Sequence, residues 1–170
     1  MYKIARVQIY LILALALFLQ GGMMNYFEVL GAKPDLLLIA VIFFGLFLGP
    51  VAGLESGFAA GLAKDVFALD FFWVNAVLLG ITGFLVGIIN TQISKESKRV
   101  NFVFVILFTI FSMSLHYLLA VVLSRSVALG FAEFFISSII PTAIYTGLVS
   151  VPIYANLISI YKLKETEEYL

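Results

Sequence analysis

Long apolar runs follow one another along the whole chain, separated by polar segments of only a few residues. A helix needs about 20 apolar residues to cross roughly 30 Å of hydrocarbon. Runs of that size at this density leave few folds open. Of the 170 residues, 63% are hydrophobic and 12% charged, and the mean hydropathy is +1.13. A soluble domain is about half apolar and about a quarter charged. A water-soluble fold of this size cannot hide such a surplus, because much of any small domain stays exposed. The solvent for the surplus is lipid, and the expected fold is an all-α polytopic transmembrane bundle forming one domain.

The first run, Val7 to Met24, follows Lys3 and Arg6. It is too long for a signal peptide, and its small residues Ala14 and Ala16 lie within it, so it reads as a retained span over about 7–26. The next run extends from Leu36 to about Phe67. As one helix it would be roughly 48 Å long at 1.5 Å per residue, too long for one crossing. Gly49-Pro50 interrupts it, since proline disfavours helix at the residue before it. Two short spans follow, 35–48 and 51–68, with Pro34 suited to the first turn of the earlier one. A fourth span covers 74–93, a polar loop Ser94–Arg99 comes next, and a fifth span covers 102–123. The last run is again long. Pro141 suits the start of a span over 141–161, with Phe134–Ile140 as an interfacial approach and Pro152 as a kink. The tail KLKETEEYL is charged and frays into solvent.

Loop charge orients these spans. Lys3, Arg6, Lys95, Lys98, Arg99, Lys162 and Lys164 fall on one side, and Lys33, Lys64 and Arg125 on the other. The positive-inside rule places the first set, and both termini, in the cytoplasm. Six spans fit. Four spans plus a re-entrant pair around Gly49-Pro50, dipping in from outside, give the same charge pattern.

Several chemistries are excluded or unsupported. The chain has no cysteine and one histidine, His116. Thiolate chemistry and a multi-histidine metal site are therefore impossible. The net charge is zero, which gives no reason to expect nucleic acid. No phosphate loop, nucleophile elbow, zinc motif or catalytic carboxylate pair is visible. No enzyme activity, cofactor or metal is expected. His116 reads as a hydrogen-bonded bundle residue.

What stands out is a ladder of small residues: Gly45, Gly49, Gly53, Gly57 and Gly61 at steps of four, repeated by Gly83 and Gly87. Such spacing puts glycines near one helix face, where another backbone approaches closely. The face suits packing inside the chain, and also a partner's membrane helix. Glu55 and Asp65 interrupt the apolar segments. Carboxylates at such depth pair, face protein or protonate. Glu55 reads as snorkelling to the inner interface, Asp65 as satisfied near the outer surface. The outer ends also carry Asp35, Lys64, Asp70, Asn75, Arg125 and Glu133, with Trp73 as an interfacial anchor. These are solvated loop ends or a docking surface for an extracytoplasmic partner.

The run KPDLLLIAVIFFGLFLGPVAGLESGFAAGLAKD, followed by VNAVLLGITGFLVG, resembles the core of the MreD family. The matching positions are Pro34, Asp35, Gly49, Pro50, Gly53, Gly57, Gly61, Asp65, Asn75, Gly83 and Gly87. Near the end, PTAIYTGLVSVPIY resembles the family's last span at Pro141, Tyr145 and Pro152. Four positions depart from the family: Leu48 stands where a basic residue is frequent, Phe72 and Trp73 where small ones are usual, and Thr146 where asparagine is common.

The resemblance implies a non-enzymatic scaffold of the cell-elongation machinery in the bacterial inner membrane. It implies MreC and MreB as partners, with RodA and a class B penicillin-binding synthase in the same assembly, which directs lateral peptidoglycan synthesis. In that picture the small-residue faces bind partner helices. The outer ends around Asp35, Asp65 and Asn75 orient the MreC ectodomain, and the basic loop Lys95, Lys98 and Arg99 meets cytoplasmic components or anionic lipid. The rival reading is the substrate-binding subunit of an energy-coupling-factor vitamin transporter, similar in size, span number and glycine content.

Overall fold

A computed structural model describes residues 6–22, 28, 31–67, 73–89, 98–124 and 130–167; residues 98, 99, 124 and 160–167 are described by backbone alone. Among the described residues every regular element is a helix, with no strand. The elements are α1 (Arg6–Gly22), α2 (Leu36–Leu48), α3 (Pro50–Phe67), α4 (Val74–Ile89), α5 (Lys98–Ser124), a single turn α6 (Phe131–Phe134), a π-helical turn (Phe135–Ile139) and α7 (Ile140–Glu167).

The fold is organised by α2. Its sequence LLLIAVIFFGLFL is apolar on every side, and all of its residues but Leu48 are buried. A helix without a polar face belongs inside a bundle. Around this axis α1 packs Ile9, Leu13 and Ala16. From α7, the Tyr154 ring lies 5.4 Å from Phe43, and its hydroxyl donates to the Ile39 carbonyl at 3.4 Å. The α3–α4 pair packs along another side of α2. Cross-contacts sort the helix ends: Tyr10, Glu55, Pro50 and Gly87 share one end, and Gln20, Asp35, Lys64 and Asn75 the other. Neighbouring helices therefore alternate in direction.

The outer faces are apolar too. Exposed side chains run at helical steps along α1 (Val7, Leu11, Leu15, Phe18), α5 (Val103, Leu107, Phe111, Leu118, Val122) and the last helical stretch (Ile136, Ile140, Ile144, Leu148). Apolar surface of this extent is a liability in water and an ordinary surface in lipid. By length and composition, Val100–Leu123 and Phe131–Ser159 are able to cross a bilayer; α1, α2 and α4 are shorter apolar helices.

Several boundaries differ from the sequence reading. α3 starts at Pro50 itself, at the position where a missing N–H costs nothing. Pro34 precedes the α2 cap, which is Asp35. α5 starts at Lys98, so Lys98 and Arg99 form a first helical turn and not a loop. Long polar side chains are good helix formers, which lets a membrane helix continue past its apolar part. The stretch Phe134–Ile140 is helical as well. It widens into the π turn directly before Pro141, whose ring would press on the carbonyl four residues back in a regular helix. α7 then runs on through Pro152.

Candidate functional site

Two features converge on the α2–α4 unit: a glycine seam along its length, and a polar cavity at one end.

The seam begins at the turn. Gly49 has φ of +95°, a conformation open to glycine and strained for other residues. The turn folds the ladder onto itself, so that Gly45 and Gly53 face each other. Beyond it, α3 and α4 touch through their backbones. A Cβ on Gly53 would fall on the Gly83 carbonyl, one on Gly57 on the Leu79 carbonyl, one on Gly61 on Ala76, and one on Gly87 on Pro50. Gly53, Gly57, Gly61, Gly83 and Gly87 are all buried. The chain itself occupies the faces that the sequence reading offered to a partner helix. Gly80, also on α4, is different: a Cβ there meets ordinary contacts, including Cβ of Phe58 at 3.8 Å.

At the far end of the seam, Asp65 explains its ten-residue spacing from Asn75. Its carboxylate accepts from the Asn75 backbone at 3.1 Å, the Asn75 side chain at 2.7 Å and the Ala76 backbone at 3.0 Å. The last turn of α3 thus caps the first turn of α4, and Asp65 is only 2% exposed. Helix N-termini hold unpaired N–H groups, and a carboxylate satisfies them while favouring the dipole. Trp73, just ahead of α4, has φ of +87°, the only positive φ among the described non-glycine residues.

Asp35 gathers a second cluster. It caps Leu38 at 3.1 Å, pairs with Lys64 Nζ at 2.7 Å, and accepts from Gln20 Nε2 at 3.3 Å. Its own N–H donates to the Thr146 hydroxyl at 3.2 Å, and Gln20 Oε1 accepts from the Leu37 N–H at 3.1 Å. Four helices are tied at this point. The sequence reading named Asp35 and Lys64 and missed Gln20, although Gln20 is the one strongly polar residue near the end of the first apolar run.

Above this cluster opens a cavity of about 750 Å³, lined by Asp35, Lys64, Asn75, Ser112, His116 and Thr142 among others. Asp35 and Asn75 therefore share a site. Asp65 stands behind Asn75 as its support and does not line the cavity. Glu55 is at the opposite end of the bundle, accepting from Tyr10 at 2.7 Å with the Arg6 guanidinium 3.9 Å away. Glu55 and His116 thus lie at opposite ends of the bundle. Among the described residues, no three His, Asp or Glu side chains cluster as a metal site requires. Lys95, Asp70, Phe71, Phe72 and Arg125 lie outside the described residues, and Glu133 is exposed.

The family model of the rod shape-determining protein MreD matches residues 1–164. This chain belongs to the MreD family. Neither curated proteins nor solved structures give a match. Membership and the apolar helices together make it a membrane protein of the shape-determining machinery. The residues that carried the resemblance acquire physical roles here: Gly-Pro turns the hairpin, the glycines join α3 to α4, and Asp65 with Asn75 locks their far ends.

Proposed function

We infer that this MreD-family chain is a non-enzymatic scaffold subunit of the bacterial elongation machinery. It binds MreC, couples to MreB, and positions RodA and a class B penicillin-binding synthase for lateral peptidoglycan synthesis. It sits in the cytoplasmic membrane with six spans and both termini inside. The observation that carries this reading is the family match over residues 1–164. The fold supports it: the described polar side chains are largely engaged in capping and tying helices, as a rigid platform requires.

Six spans draw support from the hairpin. Gly87, near the end of α4, packs on Pro50, so the α2–α3 turn reaches as deep as α4 does. A thiol label at a cysteine placed beside Pro50 should enter only from the cytoplasmic side; entry from outside would leave a re-entrant pair. Since the glycine faces are occupied internally, the MreC helix is assigned to the outward apolar faces. The basic first turn of α5, with Lys98 and Arg99, faces the cytoplasm and anionic lipid. Depletion of the chain should abolish rod shape, and the tagged chain in mild detergent should retain MreC. Normal rods after depletion, with no MreC recovered, would remove the scaffold reading. The rival transporter reading has one feature in its favour, the cavity, and predicts unchanged shape on depletion.

A further inference from the structure

The cavity at the Asp35 end is a consequence of helix length. α2 fills the middle of the bundle but stops at Asp35. The N–H of Asp35 meets Thr146, fifteen residues after Phe131 where the last helical stretch begins. At 1.5 Å per residue that stretch extends roughly 22 Å beyond the end of α2. α5, with Ser112, Met113 and His116 on the lining, walls the other side. The result is a bowl with a polar floor, sunk into the bundle. At about 750 Å³ it lies within the ~300–1,000 Å³ typical of small-molecule sites.

The lining has two properties that define an occupant. First, its charges cancel in pairs: Asp35 with Lys64 at 2.7 Å, and Glu28 with Lys33 at 3.3 Å. An ion entering the bowl would lose its hydration without finding a counter-charge that is not already paired. Second, hydrogen-bonding capacity remains on both sides of the ledger. Lys64 uses one of its three N–H groups, on Asp35. The Asn75 amide donates to Asp65, and its Oδ1 has no donor among the described residues. The Ser112 and Thr142 hydroxyls line the bowl without a hydrogen bond among the described residues. Donors and an acceptor therefore stand beside apolar surface from Phe67, Met113 and Phe134.

We propose that the bowl is a binding site for an uncharged, amide-bearing small molecule with an apolar body. An amide carbonyl accepts from Lys64, its N–H donates to Asn75 Oδ1, and the apolar part covers Phe67, Met113 and Phe134. This goes beyond the scaffold role and does not depend on it.

The test uses four probes that share one leucine side chain: N-acetyl-leucinamide (neutral), N-acetyl-leucine (anion), leucinamide (cation) and leucine (zwitterion). Binding to the full chain in lipid nanodiscs is read by saturation-transfer NMR. The neutral diamide should bind saturably and at least about tenfold more tightly than the anion or the cation, a difference of ~1.4 kcal/mol. Ser112→Phe, which fills the bowl at a residue making no described bond, should abolish that binding while the unfolding temperature stays unchanged. Thr142→Trp should do the same from the opposite wall, which guards against a folding defect in the first variant. Equal binding of all four probes, no saturable binding of the diamide, or binding unaffected in both filled variants (simple partition into lipid) would each overturn the proposal.

Discussion

The α2–α4 unit and the α5–α7 pair are both built from apolar helices, yet they are joined in different ways. In the first, backbones touch: Gly53 meets Gly83, and Gly57 meets Leu79. In the second, side chains fill the gap, and Gly147 on α7 faces the ends of Ile106 and Phe102 on α5. The exposure differs accordingly. α2 is buried almost throughout, while α5 keeps a long outward face from Val103 to Val122. Lipid supplies no hydrophobic force between helices, so close packing and polar ties must hold them. The glycine unit has both, with Asp65 capping α4 and Asp35 tying α1, α2, α3 and α7. The α5–α7 pair meets through side chains and keeps an apolar surface outward.

The contrast is open to direct attack. The largest effect belongs to Gly57→Leu, whose side chain has only the Leu79 and Gly80 backbone to move into. Overpacking costs about 1–3 kcal/mol where side chains can give way, and against backbone the loss should exceed that range. The expected outcome is no folded peak in size-exclusion chromatography of detergent extracts. Asp65→Ala should come next. It strips three hydrogen bonds from the start of α4, at about 2 kcal/mol, seen as a lower unfolding temperature of the purified protein. Gly147→Ala should be milder, about 1 kcal/mol, because the nearest atom, Ile106 Cγ1 at 2.7 Å, belongs to a side chain that can rotate. If Gly147→Ala proved as damaging as Gly57→Ala, the distinction between the two regions would fail. Trp73→Gly should be the smallest and opposite in sign, raising stability by about 1 kcal/mol through relief of the positive φ.

Much of the glycine unit was legible in the sequence. Steps of four announce one helix face and Gly-Pro announces a turn, whereas Asp65 reads only as satisfied near the outer surface and is a cap on α4 through contacts the spacing does not give. What the sequence withheld was the identity of the partners. Spacing cannot say whether Gly57 faces α4 or another protein, since either offers a backbone. Nor can it show that Asp35 reaches Lys64, Gln20 and Thr146, because those contacts cross 29, 15 and 111 residues. The α5 start was misjudged because apolarity marks the hydrocarbon and not the helix, and helices outlast it. The bowl was invisible for a related reason. It arises from unequal lengths of α2 and the last helix around a common centre, which no single segment reveals.

The account turns on the seam being internal, and the cysteine-free chain allows that to be examined in native membranes. Phe58 and Gly80 have Cβ positions 3.8 Å apart, matching the ~3.8 Å mean of disulfides. The double variant F58C/G80C, oxidised in place, should crosslink within one chain and run as a monomer of altered mobility on a non-reducing gel. Thiols that stay free, or that join two chains into a dimer, would mean that α3 and α4 do not form this seam.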